Sequence, residues 1–270
     1  KTVVAVYVGD DKYYYNSTTA NFTVSKRNSQ VNVSATGDNV GGKATITVQV
    51  QSNATGYVTV NVNGTDYTIA LNGTGAGSIN ITCLGNGTYY VHATYLGDDQ
   101  YLPSQNNTET FDITKLNVTL AIEVQDINYG ESANITVTVT SGATGYITVR
   151  INNTKSITLP IVEGKVNWIV SGLAADNYTV YANYSGDAKY NANETSKAFE
   201  VRKIAPEITI EPVEVDGATN ATVIVHITPG TTGDISITVN NKNYTGTIDE
   251  NGVARITVDV LPVGEYDIAA

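Results

Sequence analysis

The chain has 270 residues, 41% of them hydrophobic and 15% charged, with a net charge of −11 at pH 7. That acidic balance excludes the phosphate-neutralising surface of a nucleic-acid binder, and no apolar run nears the roughly 20 residues that cross a bilayer. A single cysteine, Cys83, rules out an internal disulfide, and the lack of any methionine marks the chain as an expected mature or excised piece of a longer product.

The first 26 residues contain two alternating runs joined by VYVGDDKYYYNS (residues 6–17). This stretch returns as TYLGDDQYLPSQ from Thr94 and NYSGDAKYNANE from Asn183, placing Gly9, Gly97 and Gly186 at spacings of 88 and 89. Two further markers keep the same period. GYVTVNVNGTDY begins at Gly56, GYITVRINNTKS at Gly145 and GDISITVNNKNY at Gly233, while Tyr89, Tyr178 and Tyr266 open TYYVHATY-like runs. Three marker sets on one period define tandem repeats of about 89 residues, the size of a small independent domain rather than of a solenoid unit.

Within residues 27–115 the hydrophobic period is two. The segments 44–50, 57–62, 78–84, 89–95 and 110–114 alternate and are rich in Val, Ile, Thr and Tyr, with Gly, Asn and Asp between them. The pattern predicts an all-β chain of tandem immunoglobulin-like antiparallel sandwiches, seven strands to a repeat. Residues 27–115 and 116–203 are expected to be complete domains, with short linkers at Lys26–Arg27, Lys115–Leu116 and Lys203–Ile204. Residues 1–26 align with strands F and G of a preceding repeat, and 204–270 with a domain lacking strand G.

Tyr89, Tyr178 and Tyr266 follow Gly- or Asn-bearing corners at the start of strand F, where such sandwiches place a tyrosine that bonds back to the corner. Val91, Val180 and Ile268 stand where the second bridging cysteine would be, so packing is expected to replace the disulfide. Trp168, aligned with Ile79 and Ile256, is predicted in the core. The aromatic–Gly–Asp–x–x–Tyr stretch falls between strands F and G. Gly9, Gly97 and Gly186 permit the backbone reversal, Asp10, Asp98 and Asp187 accept turn N–H bonds, and Tyr13, Tyr101 and Tyr190 cover the sandwich edge. A calcium site at this turn is the rival reading, but one carboxylate per turn falls short of the six to eight oxygens calcium takes. Lys26, Lys115 and Lys203 close the G strands on the inward parity. They are expected to snorkel over the domain base, with a Lys–Asn isopeptide bond as the sharper alternative.

These residues resemble the bacterial and archaeal immunoglobulin-like repeat family of surface proteins, whose units read Tyr-x-Gly-Asp-x-x-Tyr between strands F and G. Gly87 to Asp98 match the longer pattern closely. The richness in Asn, Thr and Tyr is similar to that of adhesin-like proteins of methanogenic archaea. The resemblance implies extracellular display and a stalk role, and it brings no catalytic or binding residues with it.

Chemistry beyond the fold is sparse. His92 and His226 fall at different repeat positions, and neither has a second ligand at metal spacing. Cys83 aligns with Gly172 and Val260 and reads as a tolerated small residue. No catalytic residue, metal or cofactor is expected. Tyr13, Tyr14 and Tyr15 could stack on sugar rings, but strand alternation is expected to expose one and bury its neighbours. About 17 Asn-x-Ser/Thr sequons stand out. Candidate glycosylation sites include Asn16, Asn53, Asn63, Asn72, Asn86, Asn106, Asn152, Asn193 and Asn243. Turn sites such as Asn53, Asn72, Asn86, Asn106 and Asn193 are expected to be occupied ahead of the strand sites Asn80 and Asn134.

Taken as a whole, the sequence predicts a non-catalytic, extracellular stalk segment of an adhesin-like surface protein, on the order of 100 Å long at about 3.4 Å per strand residue. Its partners are neighbouring repeats or copies of itself, with another cell's surface or glycans at the far end, and neither nucleic acid nor membrane insertion. The alternative is a filament or sheath subunit in which Val3, Ala5, Tyr7, Phe22 and Val24 of one chain complete the last sandwich of the next by strand exchange.

Overall fold

The computed structural model describes every residue except Pro212 and Ala218, and its regular elements are strands throughout. The contacts gather into two compact units, one of residues 1–125, 133–170 and 178–199, the other of residues 126–132, 171–177 and 200–270. Each is taken in turn.

The first unit begins with a hairpin of β1 (Thr2–Tyr7) and β2 (Asn16–Asn21), Tyr7 opposite Asn16 and Val3 opposite Ala20, with every residue of both strands exposed. Seven strands follow: β3 (Asn32–Thr36), β4 (Lys43–Gln49), β5 (Tyr57–Val62), β6 (Thr65–Ala70), β7 (Ala76–Thr82), β8 (Gly87–Tyr95) and β9 (Ser104–Ile113). They form two sheets, β3-β4-β7 and β6-β5-β8-β9, which are the A-B-E and C′-C-F-G sheets of an immunoglobulin-like sandwich. Alternation makes the core. Ala44, Ile46 and Val48 of β4 share one buried cluster with Val58 and Val60 of β5 and with Val91, Ala93 and Tyr95 of β8. Burying each Val or Ile is worth about 1.5–3 kcal/mol, so these side chains supply cohesion where the fold's usual disulfide is missing.

Turn chemistry sets the register. Asn63 and Gly64 both have positive φ (46° and 93°) and close the two-residue turn between β5 and β6, the conformation that Asn-Gly favours in hairpins. Strand β7 ends two residues before the expected 84, because Cys83 turns into the left-handed region (φ 63°), where Gly172 stands in the next repeat at φ 68°. Strand β9 starts at Ser104 rather than near 110, since its Asn-rich first half still ladders on β8.

The second sandwich follows the same plan with β10 (Leu120–Glu123), β11 (Ile127–Asn128), β12 (Ala133–Val139), β13 (Tyr146–Ile151), β14 (Lys155–Pro160), β15 (Lys165–Val170), β16 (Asn177–Tyr184) and β17 (Asn193–Arg202). Its sheets are β10-β12-β15 and β11-β17-β16-β13-β14. It has eight strands rather than seven because strand A changes sheets: β10 pairs with β12, and β11 runs parallel to β17. In the first repeat the same crossover is a single bridge, Asn39 to Thr114. Val180 is fully buried, on the inner parity it shares with Val91. Trp168 lies on the inner parity with Val166 and Val170 but is only half-buried, not the core residue expected; an indole is too large to be covered fully at this site.

The second unit contains β11 and the end of β17, tied by a bond from the Glu200 N–H to Asp126 and by the Arg202–Asp126 ion pair. It also contains β18 (Ile208–Ile210), β19 (Ala221–Ile227), β20 (Asp234–Val239), β21 (Lys242–Thr247), β22 (Val253–Val258) and β23 (Ile268–Ala269). These make the sheets β18-β19-β22 and β21-β20-β23 around Val223, Val225, Ile237 and Ile256. The chain is thus an all-β protein built of tandem immunoglobulin-like sandwiches.

Candidate functional site

The feature the repeats share most closely is the turn after strand F. Gly97 reverses the chain at φ +84°, and a Cβ there would sit 2.6 Å from the Tyr101 carbonyl oxygen; at Gly186 (φ +84°) the distance to the Tyr190 oxygen would be 2.8 Å. Only glycine fits. The reversal aims the Asp98 carboxylate at two stretches of backbone. Its Oδ1 accepts from the N–H groups of Gln100 (2.7 Å) and Tyr101 (2.8 Å), and its Oδ2 from the N–H (2.8 Å) and hydroxyl (3.2 Å) of Thr55 in the B–C loop. Tyr101 is buried and donates its hydroxyl to the Ser52 carbonyl at 3.1 Å.

The second repeat matches bond for bond. Asp187 accepts from Lys189 (2.8 Å), Tyr190 (2.7 Å) and both donors of Thr144 (2.9 Å each), and Tyr190 donates to the Ser141 carbonyl at 3.1 Å. Partial burial pushes both carboxyls up, but the surrounding N–H and hydroxyl donors outweigh it and hold them well below the usual carboxylate range. Tyr95 and Tyr184 lie fully buried beneath the turns, and burial, with the adjacent aspartate second, pushes each phenol up to about 12. The two differ in one bond: Tyr95 donates to the Thr55 carbonyl at 3.2 Å, whereas the buried Tyr184 hydroxyl has no partner at hydrogen-bond geometry.

Thr55, Thr144, Ser52 and Ser141 were not singled out by sequence, although a signal was available: SNATGY (52–57) and SGATGY (141–146) keep Ser, Ala, Thr, Gly and Tyr at the same offsets. At the opposite end of the F strands, Tyr89 donates to the Gly85 carbonyl (3.1 Å) and Tyr266 to the Pro262 carbonyl (2.9 Å), the geometry of a tyrosine corner. Tyr89 and Tyr178 stack on Phe111 and Phe199, with centroids 5.3 and 5.6 Å apart.

The remaining candidates are dispersed. Tyr13, Tyr14 and Tyr15 are all exposed, so the expected alternation does not hold there; no second sheet covers the hairpin turn. Val3, Ala5 and Tyr7 lie exposed on β1, with Phe22 and Val24 exposed just beyond β2. The Lys115 ammonium donates to the Asp187 backbone carbonyl of the following repeat.

Among the sequons, Asn53 and Asn86 sit exposed in turns, Asn16 and Asn243 on exposed strands, and Asn72 caps its own turn through Oδ1. Asn63 and Asn152 turn their Oδ1 inward to the N–H groups of Tyr90 and Thr179. Asn106 and Asn193 lie in strands β9 and β17, not in turns, because strand G starts earlier than expected. Their Nδ2 atoms donate to the carbonyls of Val31 (3.2 Å) and Val118 (2.7 Å), just ahead of strand A.

His226 contacts Glu211 at 2.6 Å on an exposed face, and His92 lies exposed on β8. Among the described residues no three His, Cys, Asp or Glu side chains are grouped to hold a metal ion, and no helix is long and apolar enough to cross a membrane.

Comparison with known proteins agrees with this geometry. Residues 120–202 match the family model described as bacterial Ig-like domain (group 3). None of the curated proteins matches the chain significantly. Among solved structures, one from a study of host cell surface retention by a 1.5-MDa bacterial ice-binding adhesin is 18% identical, covering 86% of this chain and 88% of that one, with a TM-score of 0.33. The fibronectin(III)-like modules of CbhA from Clostridium thermocellum are 14% identical over 63% of this chain and 94% of theirs, with a TM-score of 0.28. Neither lends this chain a function.

Proposed function

We propose that the chain is a non-catalytic structural segment of an extracellular, adhesin-like surface protein, its repeats serving as spacers in a stalk. The supporting observation is where the recurring polar side chains go. Asp98 and Asp187 each accept from four donor groups of their own repeats, and Tyr101 and Tyr190 point their hydroxyls at backbone, so the motif's polar groups are engaged within the fold. The sequon-rich exterior fits a secreted chain that carries N-glycans. Small-angle scattering and sedimentation velocity test the reading. A monomer with a longest dimension on the order of 100 Å is expected. A compact particle overturns it, and concentration-dependent assembly lost on deleting residues 1–26 replaces it with head-to-tail strand exchange.

A further inference from the structure

The residues after Lys26 and Lys115 do not leave as free linkers. Leu116 forms a parallel bridge with Tyr190: its N–H donates to the Lys189 carbonyl at 2.9 Å, and its carbonyl accepts from the Asn191 N–H at 2.8 Å. The Asn191 amide reaches both neighbours of Leu116, the Lys115 carbonyl at 3.4 Å and the Asn117 side-chain oxygen at 3.0 Å. The Lys115 ammonium, half-buried, donates to the backbone carbonyl of Asp187. One repeat earlier the backbone pattern is the same. Arg27 bridges Tyr101, donating to Gln100 and accepting from Leu102, both at 2.8 Å, and the Ser29 hydroxyl donates to the Leu102 carbonyl at 2.6 Å.

The turn therefore has two working sides. Its inner side is fixed to the B–C loop through the aspartate carboxylate, and its outer side grips the chain that enters the repeat. The grip crosses a repeat boundary, since Lys115 follows strand β9 of the first sandwich while Asp187 belongs to the second. Only Lys115 separates Thr114, bridged to Asn39 of the first sandwich, from Leu116, bridged to Tyr190 of the second. A connection that short, with both backbone groups of Leu116 bonded and a side chain bonded on each flank, has no freely rotating residue left in it.

We propose that the Tyr-x-Gly-Asp-x-x-Tyr turn is a joint seat and the strand-G lysine its plug, together fixing the first and second sandwiches as one rigid body. The inference deepens the spacer reading and rests on it for why stiffness is useful, but its test reads the joint alone. Residual dipolar couplings of the full chain, weakly aligned, are compared between the amides of β4, β5 and β8 and those of β12, β13 and β16. A single alignment tensor is expected to fit both sets in the native chain. In the double variant Lys115→Met, Leu116→Pro, which loses the ammonium and the Leu116 N–H, the two sets should need separate tensors while core amide shifts stay in place. Two tensors in the native chain, or one tensor persisting in the variant, overturns the proposal. If the double variant unfolds the second sandwich, Lys115→Met alone decides by the same criterion, since it touches no backbone bridge. A stiff joint in a chain that assembles into filaments would keep this inference while removing the stalk reading, and a loose joint in an extended monomer would do the reverse.

Discussion

The same seven-residue motif occurs in two surroundings, as Tyr7–Tyr13 on an open hairpin and as Tyr95–Tyr101 within a complete sandwich. The backbone is nearly the same in both: glycine φ is +89° and +84°, and the aspartate N–H donates to the second tyrosine's carbonyl at 2.9 and 3.1 Å. Asp10, like Asp98, accepts from the two turn N–H groups that follow it. What differs is the anchoring. Tyr7 and Tyr13 are 43% and 67% exposed where Tyr95 and Tyr101 are 0% and 5%, and Asp10 has no counterpart of Thr55 among its hydrogen-bond donors. The ladders differ too. Strands β1 and β2 pair without interruption, while β8 and β9 slip by one residue between Val91 and Ala93. Beside that bulge, Asn106 of β9 bonds Val31 just ahead of strand A, and Glu109 bonds strand A at Ala35. The turn is thus encoded locally, whereas the bulge and the buried tyrosines arise only when strand A and the B–C loop are present.

This contrast can be broken most directly at the aspartates. Asp98→Ala removes donors' partners on both sides of the turn and should cost the first sandwich about 2 kcal/mol, after discounting for the turn's open side. Asp10→Ala should leave the urea midpoints where they are. Equal effects, read from denaturation followed by tyrosine fluorescence, would mean that the B–C loop bonds contribute nothing.

A pH titration sharpens the same point. Because the Asp98 and Asp187 carboxyls are held below their unfolded value of about 3.9, their contribution is complete above that value and is lost as pH falls through the lower folded values. The gap in midpoint between native chain and Asp98→Ala should therefore be widest near neutrality and close on acidification below about pH 4. A gap independent of pH would show that the carboxylate charge is not what the turn uses.

The smallest expected effect separates the two buried phenols. Tyr95→Phe deletes a hydrogen bond and should cost about 1 kcal/mol, while Tyr184→Phe deletes a hydroxyl that sits beside Asp187 and the Thr144 backbone without reaching hydrogen-bond geometry and should cost less. For both native tyrosines, pushed up to about 12, the phenol's contribution holds below its unfolded value near 10 and disappears as pH rises through 12. Each Phe variant should lose its share of that alkaline sensitivity in urea titrations run at successive pH values.

Much of this was legible in the sequence because its signals are local. Gly97, Asp98 and Tyr101 announce a turn by chemistry alone, and the Val and Ile alternation of β4, β5 and β8 needs no partner to be read. Strands β3 and β6 were less visible, being short and rich in Ser, Thr and Asn or Asp, and they are held as strands by the ladders to β4 and β5. The role of Thr55 could not be read from its own neighbourhood, since its partner lies 43 residues away. The reach of Lys115 into the next repeat is not legible because alternation carries no information about that repeat, and the exposure of part of Trp168 depends on how much neighbouring strands can cover.

The amides of Asn106 and Asn193 carry a record of timing. The nitrogen to which a sugar would be joined is, in each, the atom that donates to the carbonyl of a residue 75 positions earlier in the chain. In a repeat made from its N-terminus, strand A emerges first and strand G last, so this bond closes only when the whole sandwich is available. A sugar joined before closure takes one of the two Nδ2 hydrogens that this bond can use, so lower occupancy is expected at these positions wherever the repeat closes first. Occupancy at these two asparagines, set against that at the open turn sites Asn53 and Asn86, would order folding and modification on a single clock.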